Sequence, residues 1–120
     1  MLITFAWLAL AVIHTPPALA TFSTGLRRRM YGVNAGPLDL ILVHRGALFL
    51  AVACACVLAA FNNEARIAAV LVCSISVLGF LIAYLAAGSP KRLRTIAIVD
   101  AIALIPLAAA IANVWPRLSV

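Results

Sequence analysis

Four long apolar runs constrain the fold of this 120-residue chain more than any other feature. They cover residues 2–20, 40–61, 67–87 and 96–114. A helix rises 1.5 Å per residue, so about 20 residues cross the ~30 Å of hydrocarbon in a bilayer. The runs lack the alternation of polar and apolar residues that a membrane-spanning strand needs. The sequence therefore predicts an all-α polytopic membrane protein, a four-transmembrane-helix bundle.

Composition supports a single membrane domain over residues 1–120. Hydrophobic residues make up 67% of the chain and charged residues only 10%, whereas soluble domains are about half apolar and a quarter charged. The net charge of +6 is the one feature that suggests nucleic acid. The basic residues flank the apolar runs and form no stripe along a soluble face, so nucleic acid is excluded as a partner.

The distribution of basic residues predicts the orientation in the membrane. Two loops on one side hold most of them, and the other side holds Arg66 and Arg117. The positive-inside rule places the richer side in the cytoplasm, with both termini on the non-cytoplasmic side. Trp7 and Trp115 then fall near the outer interface, where amphipathic rings prefer to lie. The expected location is a bacterial inner (plasma) membrane.

The first apolar run has two interpretations. Its end, "AVIHTPPALA", resembles the tail of a cleaved secretory signal. However, no basic residue precedes the run and three arginines follow it, which is the reverse of a signal peptide's charge pattern. We therefore expect a retained helix. Pro16 and Pro17 lack backbone N–H groups, so this first helix is predicted to be broken by proline, kinking or ending near His14.

Four ionisable side chains lie within the apolar runs: His14, His44, Arg45 and Asp100. Counted along their helices, all four fall at a similar depth, in the half of the membrane next to the more basic loops. A charge at the bilayer centre costs ~2.5–3.5 kcal/mol on insertion scales, and such residues usually face the bundle or a cavity. Their common level predicts one polar pocket that binds a ligand.

Each of these side chains also has a simpler structural explanation. For His14 and His44 taken singly, it is a structural histidine whose hydrogen bonds are satisfied within the protein. Spacing along the second run predicts that His44 points into the bundle, and Arg45 is expected either to reach lipid phosphates or to pair with Asp100. Taken by itself, Asp100 is explained by its place near a helix start, where the positive end of the helix dipole stabilises a carboxylate. Asp39 is expected to be a helix N-cap. Tyr31 and Tyr84 are expected on the same, cytoplasmic side of the membrane. They are further candidate ligand contacts, or else they belong to the interfacial aromatic belt.

Cysteines and small residues give structural predictions. Cys54 and Cys56 point to nearly opposite helix faces, so they cannot hold one metal ion, and no metal site is expected. Stripes of small residues four apart let helices approach closely in lipid; they run along 47–59 and 79–87. They are expected to pack within the bundle, with a homo-oligomer or a larger membrane complex as the alternative.

The combination of His14 with Pro16-Pro17, then Tyr31-Gly32, then His44-Arg45, then Asp100 resembles uncharacterised small four-helix bacterial inner-membrane proteins over most of the chain. Small multidrug transporters are similar in size and helix number, but the glutamate in their first helix has no counterpart here. The membrane anchors of succinate dehydrogenase are similar in carrying a His-Arg pair near a helix start, yet they have three helices and a surrounding motif missing here.

Two functions from different classes are consistent with the pocket. In the first, it binds the polar head of a lipophilic ligand, such as a lipid, quinone or pigment, and the protein serves as an accessory subunit of a membrane complex. In the second, the protein is an enzyme of isomerase, cyclase or hydratase type, with Asp100 or a histidine as general acid–base. Haem held by His14 and His44 is a less favoured third option, and transport is disfavoured because the outer half has no ionisable residue within a helix.

Overall fold

The computed structural model describes residues 1–33 and 36–118 and is built from helices. The elements are α1 (Leu2–Leu19), α2 (Thr24–Tyr31), α3 (Pro37–Phe61), α4 (Arg66–Ala86), a 3-10 turn (Lys91–Leu93) and α5 (Arg94–Leu118). Four of them, all except α2 and the short turn, are long and apolar enough to cross a membrane. The predicted all-α class with four transmembrane helices is confirmed.

The four long helices form a ring. Helix α1 packs against α3 and α5, and α4 packs against the same two helices, so α1 and α4 lie diagonally across the bundle. The buried core follows the bundle axis and is made mostly of small and medium side chains around Trp7, Leu10 and Leu107. This arrangement allows side chains from α1, α3 and α5 to meet at one end of the ring.

The first helix continues through its prolines. Pro16 and Pro17 lie inside α1, which ends at Leu19, so the expectation that it would end near His14 is wrong. The turn beyond the prolines still closes because the N–H of Ala20 donates to the carbonyl of Pro16 at 3.2 Å. The interruption comes after them, where the chain turns and α2 begins with Ser23 as its cap.

Arg27 fixes the junction between α1, α2 and α3. Its guanidinium donates to both carboxylate oxygens of Asp39, at 2.7 and 2.8 Å, and to the carbonyls of Ala20 and Thr21. Arg27 also donates to the hydroxyl of Thr24, and with this fifth hydrogen bond all five N–H groups of its guanidinium have an acceptor. Hydrogen bonding to Asp39 raises the pKa of Arg27 above its ordinary value, so this arginine stays charged.

Asp39 is therefore an ion-pair partner and not the predicted N-cap. Helix α3 begins earlier, with Gly36 as cap and Pro37 in its first position. An N–H group at this position would have no acceptor within the helix, so proline's lack of one costs no hydrogen bond. The helix thus starts three residues before the predicted 40, and α5 likewise extends beyond the predicted 96–114.

The opposite end of the bundle is held by a second buried arginine. Arg66 donates to the carbonyl of Ala59 at 3.0 Å and to the side-chain oxygen of Asn113 at 3.1 Å, which joins the α3–α4 turn to α5. Arg117 adds a bond to the carbonyl of Asn63 at the same end. These contacts tie the C-terminal part of α5 to the α3–α4 turn.

The structure shows which way Trp7 and the small-residue stripe of α4 face. The Trp7 side chain is fully buried within the bundle, because it shares the inward face of α1 with Leu10 and His14. The small-residue stripe of α4 faces outward from Gly79 to Ala87, so it does not pack within this bundle.

The close helix approach occurs at Gly46 on α3. A Cβ built there would clash with the hydroxyl of Thr21 and come within 3.0 Å of the Pro17 carbonyl oxygen. Ala47 and Ala51, in the predicted stripe of α3, are exposed on its outer face, although Ala59 at the far end of the stripe is buried. Glycine is favoured at Gly46 because the end of α1 and the turn after it leave little room for a side chain.

Candidate functional site

Arg45 is the central residue of the polar end of the bundle. Its guanidinium carbon lies 5.3 Å from the ring centre of Phe49, 5.7 Å from that of Phe80 and 6.0 Å from that of Tyr31. Cations within ~6 Å of a ring face are attracted by its quadrupole. Three rings from three helices thus hold the half-buried guanidinium in place.

The donors of Arg45 remain available for a ligand. Among the residues that the structure describes, Arg45 makes cation–π contacts but no hydrogen bond or ion pair, and none of its nitrogens lies within 4.0 Å of an Asp100 oxygen. Of the two outcomes expected for Arg45, the direct pair with Asp100 is not formed. Five N–H groups therefore have no acceptor within the described part of the chain.

Two cavities adjoin Arg45. The first, of about 530 Å³, is an apolar groove between α3 and α4 that extends from Arg45 and Phe80 to Ala55 and Val72. We call it the α3–α4 groove. The second, of about 200 Å³, is lined by parts of α1, α2, α3 and α5, and we call it the polar cavity. Arg45 and Phe49 line both, so they stand at the boundary between the two.

Asp100 and Tyr31 line the polar cavity together with Arg45. The carboxylate of Asp100 comes from the second turn of α5 and is half-buried. Burial raises the pKa of the Tyr31 phenol; the charge of Arg45 opposes this rise and that of Asp100 adds to it. Tyr31 therefore remains a neutral hydrogen-bond donor near neutral pH.

His14 lines the same cavity but already has partners for both ring nitrogens. Nδ1 lies 2.8 Å from the carbonyl oxygen of Leu10, which can only accept, so this nitrogen carries a proton. Nε2 lies 3.3 Å from the hydroxyl of Ser76 on α4, across the bundle axis, and accepts from it when the ring is neutral. The ring also packs against Phe49, with centroids 5.8 Å apart. His14 therefore shapes one wall of the cavity and positions Phe49.

The structure brings four of the six predicted site residues together and separates the other two. His14, Tyr31, Arg45 and Asp100 line the polar cavity. His44 is exposed and lines neither cavity, so the prediction that it points into the bundle is wrong. The inward face of α3 passes through Leu42, Gly46 and Phe49, which turns His44 outward.

Tyr84 lies at a different place on the same end of the bundle. It lines a third cavity between α4 and α5 and stacks on Phe80 at 6.1 Å, so its link to Arg45 is indirect. With His44 outside and both nitrogens of His14 engaged, the arrangement gives no support to haem held by this pair. Within the described ranges, no cluster of three His, Cys, Asp or Glu side chains could hold a metal ion.

Sequence reasoning missed the aromatic residues around Arg45. Phe49 follows Arg45 by four residues, the spacing that places two side chains on the same helix face, so this contact could have been found. Phe80 and Ser76 come from α4, and no local pattern connects them with Arg45 or His14. Their roles depend on how α4 packs in the ring.

The fold and the cavities together define a small polytopic helical membrane protein with a polar cavity at one end of its bundle. No protein-family model, curated protein or solved structure matches the chain significantly. A function must therefore be inferred from the geometry of the site alone.

Proposed function

We propose that this protein binds a lipophilic molecule with a polar head, as the sequence suggested for a lipid, quinone or pigment. The observation that supports this most is the position of Arg45, a cation with unused donors, between an apolar groove and a polar cavity. The tail of the ligand would lie in the α3–α4 groove and its head would reach past Arg45.

The dimensions and chemistry of the two cavities fit this division. Ligand pockets usually measure ~300–1,000 Å³, so the polar cavity, at about 200 Å³, is large enough for a head group only. The α3–α4 groove, at about 530 Å³, is lined almost entirely by apolar side chains such as Leu48, Val52 and Ile75. Its walls resemble lipid tails in polarity, whereas Arg45 supplies the polar attachment.

Binding is favoured over catalysis because of the state of the candidate acid–base groups. Both ring nitrogens of His14 are engaged, and His44 lies outside the cavity. Among the described residues, the polar cavity is lined by one carboxylate, that of Asp100, and by the phenol of Tyr31, so a proton-transfer function would rest on these two groups. The enzyme alternative therefore has fewer groups available than the sequence suggested.

We further propose a bacterial inner membrane as the location, with the polar cavity in the cytoplasmic leaflet. The basic residues of α2 and of the turn before α5 lie at the cavity end, which the positive-inside rule assigns to the cytoplasm. A role as accessory subunit would use the outward small-residue face of α4 from Gly79 to Ala87.

The test is to purify the protein in mild detergent, record its native mass spectrum and identify any organic molecule released into solvent. We expect a defined lipophilic molecule that survives washing in wild type and is lost in Arg45→Gln. Arg28→Gln, which removes an exposed charge from the same end of the bundle, is the matched control and should retain the molecule.

A second variant separates binding from folding. Ala51→Trp fills the α3–α4 groove without touching the polar cavity, and Ala68→Trp places the same side chain on an exposed position of α4 outside the groove. Loss of the bound molecule in Ala51→Trp alone supports the proposal. Equal retention in wild type, Arg45→Gln and Ala51→Trp, or no bound molecule in any of them, contradicts it.

A further inference from the structure

We infer that the ligand of this site is an aminophospholipid, with its phosphate on Arg45 and its primary ammonium on Asp100. This inference rests on the proposed function and makes it more specific. It follows from the order in which apolar, positive and negative groups succeed one another along the two adjoining cavities.

The order is set by which residues line which cavity. The α3–α4 groove is apolar and ends at Arg45. Arg45 lines both cavities, and Asp100 lines only the polar cavity. From the groove inward, the sequence of groups is therefore apolar, cationic, anionic. A phospholipid with an ethanolamine head has acyl chains, then a phosphate, then an ammonium, which is the complementary order.

The space between the two charges supports the same conclusion. Opposite charges facing one cavity would form an ion pair if nothing kept them apart, yet no Arg45 nitrogen lies within 4.0 Å of an Asp100 oxygen. Arg45 is held by its three aromatic rings, and Asp100 comes from a different helix, α5. A zwitterionic head fitting between them satisfies both charges at once.

Other head groups match this pair of charges less well. A quinone offers carbonyl oxygens, which accept from Arg45 but face the carboxylate of Asp100 with no donor. A glycerol head supplies hydroxyl donors to Asp100 but leaves the site with one uncompensated negative charge. A choline head carries the positive charge but has no N–H to donate. Of these head groups, only a primary ammonium both donates hydrogen bonds to Asp100 and neutralises its charge.

Native mass spectrometry with defined lipids tests the inference. The full chain, delipidated in detergent, is titrated with phosphatidylethanolamine, phosphatidylglycerol or phosphatidylcholine of identical acyl chains. We expect phosphatidylethanolamine to bind on the order of tenfold more tightly than the other two, the effect of one or two charge-assisted hydrogen bonds. Asp100→Asn keeps the shape of the side chain and should bring the three affinities to within about twofold of one another.

The outcomes distinguish this inference from the proposed function. If all three lipids bind equally to wild type but are lost in Arg45→Gln and Ala51→Trp, the binding function stands and the head-group assignment is wrong. If no lipid binds above the level seen with Ala51→Trp, the head-group assignment is wrong, and the molecule released from the purified protein decides the proposed function. Water-soluble glycerophosphoethanolamine should compete poorly; competition equal to that of the lipid would contradict a role for the α3–α4 groove.

Discussion

Substituting Gly46 by alanine tests the helix contact that positions Arg45. Gly46 is the point where α3 approaches the end of α1, and it immediately follows Arg45 in sequence. An added Cβ would meet the Thr21 hydroxyl and come within 3.0 Å of two backbone atoms, the Pro17 oxygen and the Thr21 nitrogen. Thr21 also donates to the Val43 carbonyl at 3.4 Å, so moving its side chain disturbs that contact.

The expected cost follows from two opposing effects. Replacing glycine by alanine inside a helix stabilises it by ~0.8–1 kcal/mol. Inserting a methyl group into a filled contact costs ~1–3 kcal/mol, and here the backbone atoms cannot rotate away. We expect Gly46→Ala to lower the free energy of unfolding by up to ~2 kcal/mol.

Gly79 supplies a matched control, because a Cβ built there meets no atom within 4 Å. Gly79→Ala gains the same helix propensity without the clash, so the two variants should differ by ~1–3 kcal/mol. Unfolding in mixed micelles, followed by loss of helical circular dichroism, measures both. Stabilisation of both variants by equal amounts would refute the packing of α1 on α3 described above.

Two further predictions concern other contacts in the bundle. Asp39→Asn removes the carboxylate that pairs with buried Arg27 and should lower the thermal stability of the protein in detergent, because a buried charge is left without its counter-ion. Cys56 and Cys73 have sulfur atoms 3.1 Å apart on α3 and α4, so iodine should oxidise them to an intramolecular disulfide, seen as the loss of two thiols and two hydrogens in the intact mass.

Each of these predictions has an internal control. Glu64→Gln also removes one negative charge, but from an exposed position, so it should leave the melting temperature nearly unchanged. Equal destabilisation by both substitutions would argue against the ion pair. Cys54 faces outward and should remain free to react with a maleimide after oxidation; a disulfide that includes Cys54 would show that α3 is rotated.

The fold was predictable because the lipid environment leaves few solutions. Apolar runs of about 20 residues predict spanning helices from length alone, and the basic loops at one end lie together as expected. The ring order of the helices was not predictable, since apolar residues on all faces give no sign of which face turns inward. This explains the error at His44 and why the burial of Trp7 was not predicted.

The candidate site was partly predictable for the same reason. A charged or polar side chain in an apolar run stands out, so His14, Arg45 and Asp100 could be found. Phe80 could not be distinguished from ordinary membrane residues, and Phe49 only by its spacing of four residues from Arg45, although both rings hold the Arg45 guanidinium. Arg27 and Asp39 were interpreted separately, as a topology signal and a cap, because their pairing depends on the turn after α1.

The ring arrangement has a consequence for the order in which the site becomes complete. Successive long helices are neighbours, and the ring closes when α5 packs on both α1 and α4. Synthesis proceeds from the N-terminus, so Arg45 and its aromatic rings are present before Asp100 emerges from the ribosome. A nascent chain up to the end of α4 has a cationic pocket with one wall missing. Helix α5 supplies both that wall and the compensating negative charge, so the head-group selection proposed above would be a property of the finished chain only.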